Sequence, residues 1–480
     1  MTLRKKAFTS IRWTALSSSV KILVQLSQLV ILSRLLTPAD FGLIAIALAT
    51  VAFIQIFADA GVSNAIIHFQ EISNDQLSSL YWLNVSLGAI LATVLVGASS
   101  FIADWYRQPE LVNLLYIAAL TLFINALGQQ LRVNAQKNLL FSPLVKIELS
   151  AVLSGFLLSL ILALYGWGVY SIALGTLLTA IIYCLFAWIF LANGWKPKLH
   201  LKIAEITKFL QYGSYMIGNN LVSTVNAQID ILIGGRIFGA NDIGLYNVPK
   251  TLMLNVQMAI NPIITQVGLP VMAIAQNDKN RLKNIYLKTI LLTSSINFPI
   301  YLGIAFYSSE IVHLVLGEKW EDSIPLIKIF AIWGLVRSIG NPVGSLLLGV
   351  GRADMLFRWN LFWTIITGPS LWLGSYWGIY GMAIALAILM TLAYLPNWHF
   401  LVKPACGANL KEYSAQSAIP LILAVIATTL SYCITIPLGD ALYRLTLGLF
   451  VAAILYLLLS ITFNKPIIRY SLELLAISKK

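Results

Sequence analysis

The stretch SRLLTPADFGL, residues 33–43, aligns without gaps with GRIFGANDIGL, residues 235–245, at an offset of 202 positions. A second pair follows in the same order at an offset of 210 positions: WGVYSIA at residues 167–173 and WGIYGMA at residues 377–383. Two ordered matches indicate a duplicated half of about two hundred residues. In a hydrophobic chain, duplicated halves are typical of transporters whose site lies between the repeats.

The composition predicts a polytopic membrane protein. Hydrophobic residues make up 59% of the 480 and charged residues 11%, against about 25% charged in an average soluble domain. A hydrocarbon core about 30 Å thick needs about 20 apolar residues per helix. Fourteen segments meet that need, and their centres lie near residues 22, 50, 92, 121, 157, 181, 224, 257, 299, 335, 368, 390, 427 and 453. Their runs are apolar on nearly every face, which favours helices over membrane β-strands.

We therefore expect an all-α polytopic membrane protein with about 14 transmembrane helices, in two pseudo-symmetric six-helix lobes plus two C-terminal helices. The repeats predict an N-terminal lobe over 1–193, an amphipathic cytoplasmic linker over 194–208, a second lobe over 209–402, and two extra helices with a cytoplasmic tail over 403–480. Four lysines in the linker, with isoleucines at a helical spacing, fit a helix on an anionic membrane surface. A solvated loop fits them equally well.

The charge distribution predicts the orientation. The net charge is +13, yet alternation of the spans with a cytoplasmic N-terminus assigns 23 of the 32 Lys and Arg residues to the cytoplasmic side and five to the other side. Such a bias favours both termini inside the cell and excludes nucleic acid as the reason for the charge. The five residues on the outer side are Arg34, Arg107, Arg236, Lys319 and Arg444.

Polar side chains form stripes within the predicted spans, where they are costly and usually face a cavity. Two stripes occupy equivalent positions of the two repeats, because the offset of 202 carries the first span onto the seventh. The first stripe is Ser17, Lys21, Gln25 and Gln28, and the second is Asn219, Ser223, Asn226 and Asp230. We expect these faces to line one central cleft.

The remaining stripes lie on other spans and extend this prediction. Gln55 and Asp59 of the second span map onto Gln257 and Asn261 of the eighth, and further polar positions are Lys250, Arg337, Asn341 and, at the start of the fifth span, Glu148. Hydrogen bonds between helices would explain each single amide as well as a ligand would. For Lys21, Lys250 and Arg337 a cavity is the better explanation, because each lies inside its span where snorkelling is difficult.

Two further arginines have a structural explanation. Arg34 and Arg236 lie at predicted helix ends, and each is followed six residues later by an aspartate, Asp40 or Asp242, that can cap the next helix. We expect both arginines to belong to the turn rather than to the site.

The passage LSRLLTPADFGL at residues 32–43, continued by FADAGV at 57–62 and by Ile66, resembles the opening of polysaccharide-transport proteins of the Wzx type. These belong to the multidrug/oligosaccharidyl-lipid/polysaccharide exporter superfamily. The resemblance extends over the whole chain, including its length and its two added helices. It implies a flippase that moves undecaprenyl-pyrophosphate-linked oligosaccharide repeat units across the bacterial plasma membrane by alternating access.

The resemblance implies a site that binds a negatively charged lipid. A lipid pyrophosphate must cross a low-dielectric core, and Lys21, Lys250 and Arg337 would offset its charge. The polar residues would bond sugar hydroxyls: Gln25, Gln28, Gln55, Asn219, Asn226, Gln257, Asn261 and Asn341. Asp59, Asp230 and Glu148 are candidates for coupling to H⁺ or Na⁺. Membrane lipids, a polysaccharide polymerase and chain-length proteins are the other implied partners.

Several alternatives remain open. A flippase for a lipid-linked peptidoglycan precursor shares the fourteen-helix plan, and a cation-coupled multidrug exporter shares the lobe architecture. An enzyme is not expected, because the chain has no P-loop, HExxH, GxSxG or Gly-rich dinucleotide motif and no loop long enough to form a glycan-polymerising domain. We expect no cofactor and no metal site. The product could be O-antigen, capsule or exopolysaccharide.

Overall fold

The computed structural model describes residues 20–59, 61–69 and 71–464, without the side chains of residues 215, 216, 219 and 262–267. Throughout these residues all regular structure is helical and no β-strand occurs. The predicted all-α fold class is therefore confirmed.

The helices run in chain order as follows: α1 (20–35), α2 (Pro38–Asp59), α3 (Val62–His68), α4 (Asn74–Tyr106), α5 (Leu111–Lys137), α6 (Phe141–Leu164), α7 (Val169–Phe190), α8 (Ile203–Phe238), α9 (Ala240–Ile274), α10 (Lys279–Phe306), α11 (Ser308–Ile311), α12 (Ile324–Gly349), α13 (Ala353–Ser375), α14 (Gly378–Leu392), α15 (Tyr394–Asn397), α16 (Lys403–Cys406), α17 (Leu410–Thr435) and α18 (Ala441–Phe463). Two π-helical segments, Val312–Leu316 and Trp398–Val402, and a 3₁₀ segment, Glu318–Ser323, connect the shorter helices.

The lengths and composition of the helices are those of a multi-pass membrane protein. Ten of the described helical segments are long and apolar enough to cross a bilayer. Each of the fourteen predicted centres also lies within a helix, but α1, α8, α9 and α13 are not among the ten. Of these, α1 is described over only 16 residues, and α8 and α9 carry the predicted polar positions Asp230 and Lys250.

Both copies of the repeated stretch form the same local structure, a helix end followed at once by a new helix. In the first copy, Thr37 and Asp40 cap α2 reciprocally: Oδ2 of Asp40 accepts from the Thr37 backbone N–H at 2.8 Å and from its hydroxyl at 2.7 Å. The predicted capping role of Asp40 is thereby confirmed. In the second copy, Gly239 joins α8 to α9 with φ 85°, a conformation that favours glycine.

The two copies also touch each other. A Cβ atom at Gly42 would overlap with the backbone carbonyl of Ala240, and a Cβ atom at Gly244 would overlap with the carbonyl of Pro38. The offset of 202 carries Pro38 onto Ala240 and Gly42 onto Gly244, so the contact is reciprocal. Close backbone approach through small residues is how membrane helices pack tightly. The duplication seen in the sequence is therefore also a local pseudo-two-fold contact.

The chain forms two compact units, residues 1–247 and 248–480. The first contains α1 to α8 and the beginning of α9, and the second contains the remainder of α9 through α18. Small residues pack helices closely within each unit, as Gly155 against Gly175 between α6 and α7, and Gly374 against Gly381 between α13 and α14.

The predicted linker is held against the start of α4. Trp82 donates from Nε1 to the Lys198 carbonyl at 2.8 Å, and the Lys198 ammonium lies 2.8 Å from Oδ1 of Asp75. Residues 195–202 are not helical, and the helix begins only at Ile203. A hydrogen bond with His200, at 2.9 Å, lowers the pKa of Glu205 at this exposed end of α8.

Candidate substrate-binding site

In the first unit, the predicted cation Lys21 of α1 pairs with Glu148 of α6. Glu148 also accepts from Nη2 of Arg132, on α5, at 3.2 Å. The guanidinium of Arg132 lies 6.0 Å from the ring centre of Tyr183. These contacts join three helices at one carboxylate, whose side chain is 11% exposed.

The charges of this cluster do not cancel. A largely buried carboxylate needs a charged or hydrogen-bonding partner, and Glu148 has two cations, Lys21 and Arg132. Their side chains remain 30% and 42% exposed, respectively. One positive charge is thus left over at a surface that another group can reach, as an anion-binding site requires.

Asp59 ends a short chain of polar side chains in the first unit. Gln129 of α5 donates from Nε2 to the Ser63 hydroxyl at 3.1 Å, and Ser63 donates in turn to Asp59. Three elements, α2, α3 and α5, meet here. The role in ion coupling predicted for Asp59 remains a prediction.

Asp230, the second predicted coupling residue, is only 2% exposed. It accepts at Oδ2 from the hydroxyl of Tyr246, which is fully buried, at 3.0 Å. The bond ties α8 to the start of α9 just beyond the repeated stretch. Asp230 is therefore integrated into the packing more deeply than Asp59.

The predicted amides of the first unit are accessible. Gln25 and Gln55 are exposed, and Gln28 and Asn226 are half-buried. Among the described residues, no hydrogen bond joins Gln25, Gln28 or Gln55 to another side chain. The side chain of Asn219 lies outside the described residues.

In the second unit, the structure brings together two residues that the sequence analysis predicted for the site, one as a charge inside its span and one from the repeat alignment. Arg337 of α12 donates from Nε to Oε1 of Gln257, on α9, at 3.0 Å. Its guanidinium lies 5.0 Å from the ring centre of Trp333, one turn earlier on α12. Arg337 therefore makes a cation–π contact and a hydrogen bond to a neutral amide.

The other predicted residues of this unit lie on the same two helices. Lys250 of α9 is 7% exposed and Asn261 is 4% exposed. Asn261 accepts at Oδ1 from Nδ2 of Asn297, on α10, at 3.2 Å. Asn341 follows Arg337 by one turn of α12 and is half-buried.

The sequence analysis did not predict three residues of these side-chain clusters, namely Arg132, Ser63 and Asn297. The charge count places Arg132 on the cytoplasmic side, although Asn125, Gln129 and Arg132 recur at intervals of four and three on one face of α5. That spacing was a usable signal. Ser63 and Asn297 have no such signal, because their roles depend on which helices are neighbours.

Solved structures and curated relatives resemble this chain over most of its length. The structure titled "Lipid II flippase MurJ, inward closed conformation" has a TM-score of 0.76 at 14% sequence identity, covering 95% of this chain and 100% of that one. "Lipopolysaccharide biosynthesis protein WzxC" of Escherichia coli (strain K12) is 31% identical over 92% of this chain and 90% of its own. "Teichuronic acid biosynthesis protein TuaB" of Bacillus subtilis (strain 168) is 29% identical over 95% of each.

The family described as "Polysaccharide biosynthesis protein" matches residues 31–325, which include both copies of the repeated stretch and, of the polar cluster, Arg132 and Glu148. The resemblance found in the residues 32–43 is thus confirmed over more than half of the chain. The chain belongs to this family of polysaccharide biosynthesis proteins.

Proposed function

We propose that the protein is a flippase that translocates undecaprenyl-pyrophosphate-linked oligosaccharide repeat units across the bacterial plasma membrane by alternating access, for O-antigen, capsule or exopolysaccharide biosynthesis. The observation that carries the proposal is the net positive cluster of Lys21, Glu148 and Arg132 within the helical unit of a member of this family. Positive charge inside a membrane protein lowers the cost of moving a phosphate through a low dielectric. The name of the relative WzxC supports the link to lipopolysaccharide.

The architecture proposed for this function has fourteen spans in two six-helix lobes followed by two further helices, with the lobes and linker bounded as the repeats predict. Both termini are cytoplasmic, and the protein is an inner-membrane transporter rather than an enzyme. It needs no cofactor. The polymerase and chain-length proteins that extend the glycan are its proposed partners.

The proposed roles of the site residues follow from their chemistry. Lys21, Lys250 and Arg337 bind the pyrophosphate, and the planar guanidinium of Arg337 suits two phosphate oxygens at once. Arg132 joins them through Glu148. The amides bond sugar hydroxyls, and three of them have no side-chain hydrogen bond in the described residues: Gln25, Gln28 and Gln55.

Ion coupling is proposed to use three carboxylates. Glu148, Asp59 and Asp230 can each change charge by taking up H⁺ or Na⁺ while access alternates. Glu148 is the strongest candidate, because its two cationic partners are the groups that would meet the substrate phosphate. Substrate arrival and release of Glu148 from Lys21 would then be coupled directly.

Two other cargoes fit the same fold. The likeness to a lipid II flippase concerns the fold alone at 14% identity. A peptidoglycan-precursor flippase would use the same cations but accept a different glycan. A cation-coupled multidrug exporter would instead require an acidic cavity, whereas the Lys21 cluster holds two cations for one carboxylate.

Complementation tests the proposal. The chain is expressed in a bacterium that lacks its own repeat-unit flippase, and both surface polysaccharide and accumulated lipid-linked precursor are measured. We expect export to be restored and the precursor to fall. Failure by well-inserted protein in hosts that make several different repeat units, together with rescue of a strain lacking its peptidoglycan-precursor flippase, would assign the other cargo.

A further inference from the structure

The first unit contains an apolar cavity of about 470 Å³ between α2, α4 and α8. Its walls include Phe53 and Ile54 from α2, Phe101 and Trp105 from α4, and Leu232 from α8. Phe101 is 71% exposed and Trp105 is 54% exposed, so the cavity is open on the side where they lie. None of the residues assigned above to the substrate site lines it.

One face of α8 contributes both to the wall of this cavity and to its rim. Leu232, Gly235 and Arg236 recur at intervals of three and one, so that Arg236 lies one turn above Leu232. Gly235 lets α8 approach the other two helices, because a Cβ there would lie 3.0 Å from the side chain of Ile46 and 3.3 Å from that of Tyr106. The opening between the three helices therefore lies about one helical turn from a cation.

Arg236 closes the rim of the cavity with a positive charge. Its guanidinium lies 5.1 Å from the ring centre of Trp105. In the described part of the chain no carboxylate pairs with it, whereas Arg444, also assigned to the outer side, lies 3.0 Å from the buried Glu310. Arg236 is therefore a half-buried cation at the edge of an apolar cavity, and no carboxylate of the described residues forms an ion pair with it.

We propose that this cavity binds a single-chain isoprenoid phosphate, with hydrocarbon between Phe53, Phe101 and Leu232 and the phosphate on Arg236. The assignment rests on the proposed function, since it makes the cavity a subsite for the lipid carrier at the outer side of the membrane. An apolar wall with one cation at its rim matches a ligand with one hydrocarbon chain and one anionic head. The volume is in the range of small-ligand pockets, about 300 to 1,000 Å³.

A bilayer phospholipid is the competing occupant. A cavity of about 470 Å³ holds only part of the hydrocarbon of either lipid, so its volume does not distinguish an isoprenoid chain from an acyl chain. An arginine against a tryptophan could also serve only as an interfacial anchor. Both alternatives are separated from the proposal by competition between lipids.

The test measures binding of undecaprenyl phosphate to the purified full-length chain in detergent by native mass spectrometry, with phosphatidylglycerol as competitor. We expect Arg236→Gln to weaken binding by about tenfold or more, the loss of one charge-assisted contact, and Arg236→Lys to retain part of it. Ile54→Trp, which fills the cavity, weakens binding as well, and Leu232→Phe serves the same purpose if that variant does not fold. Matched controls are Lys319→Gln, another outer-side cation, and Ile161→Trp, on the exposed apolar surface of α6.

Equal binding by wild type, Arg236→Gln and Ile54→Trp would overturn the proposal. Displacement of undecaprenyl phosphate by an equal concentration of phosphatidylglycerol would do so too, because the cavity would then hold ordinary bilayer lipid. Neither result bears on export in the complementation strain. Conversely, Arg236-dependent binding in a protein that fails every export assay would leave the lipid site standing and remove the proposed function.

Discussion

Lys21 and Arg337 fill the same predicted role in the two repeats, but different partners hold them. Lys21 pairs with a carboxylate, Glu148, which also pairs with Arg132. Arg337 donates to a neutral amide, Gln257, and stacks on an aromatic ring. The first cation is therefore paired with an acidic side chain, whereas these two contacts of the second are with an amide and an indole ring. The two cations predicted for the site are thus held by different kinds of contact.

The partners of the two cations differ, whereas the backbone contacts of the two copies of the repeated stretch are alike. Gly42 meets the backbone of Ala240 as Gly244 meets that of Pro38. Backbone packing has remained equivalent after the duplication, while the charged side chains have diverged.

The largest expected effect comes from substitutions that disrupt the reciprocal contact between the two copies of the repeated stretch. Gly42→Ala and Gly244→Ala each place a methyl group into backbone atoms, and overpacking of this kind costs about 1–3 kcal/mol. We expect both variants to lower the thermal unfolding temperature in detergent, and by similar amounts. Gly97→Ala is the matched control, because a Cβ at Gly97 has no heavy atom within 4 Å. A loss in one glycine variant alone would contradict the reciprocal contact.

The next effect tests the pairing of Glu148 with Lys21 and Arg132. Glu148→Gln leaves Lys21 and Arg132 without their counter-charge, which costs about 2 kcal/mol after allowance for the exposure of both cations. Thermal unfolding should shift downward, and Lys21→Gln in the same chain should recover part of the loss. Glu110→Gln, at an exposed carboxylate, should leave stability unchanged. A Glu148→Gln variant as stable as wild type would show that the pair does not hold the three helices.

Substitution of Arg337 should affect export more than stability. Arg337→Gln removes the hydrogen bond to Gln257 and the cation–π contact with Trp333, and should cost about 1–2 kcal/mol of stability. Export should fall by about tenfold or more, because the proposed site loses one of its positive charges. Arg337→Lys should restore part of the export, since it keeps the charge without the planar fork. Precursor accumulation in the complementation strain measures both. Normal export by Arg337→Gln would remove this residue from the site.

The smallest effect concerns a charge pair on the surface. Lys198 and Asp75 hold the linker against α4, but their side chains are 67% and 48% exposed. Exposed pairs contribute little, so Lys198→Gln should leave both the unfolding temperature and export unchanged. A marked loss of export would instead show that the linker takes part in transport.

The sequence predicts the helices well because their signal is local. Every predicted centre lies in a helix, and the repeated stretch marks two equivalent helix junctions. The sequence also predicts Arg337 and Gln257 as site residues, and the structure brings these two into contact. The pairing of Lys21 with Glu148 is not predictable in this way, since 127 positions separate the two residues and only the packing of α1 on α6 unites them. Arg132 is missed because a charge count treats every basic residue near a helix end as a topology marker.

Translocation by the purified protein tests the central claim most directly. Full-length chain is reconstituted into liposomes that contain undecaprenyl-pyrophosphate-linked oligosaccharide, and the glycan reaching the opposite leaflet is measured with a membrane-impermeant lectin. We predict rapid translocation by wild type, a loss of about tenfold or more in the Lys21→Gln and Arg337→Gln double variant, and a normal rate in Lys198→Gln. Wild-type protein that moves no more glycan lipid than empty liposomes, or a double variant as fast as wild type, would contradict the account.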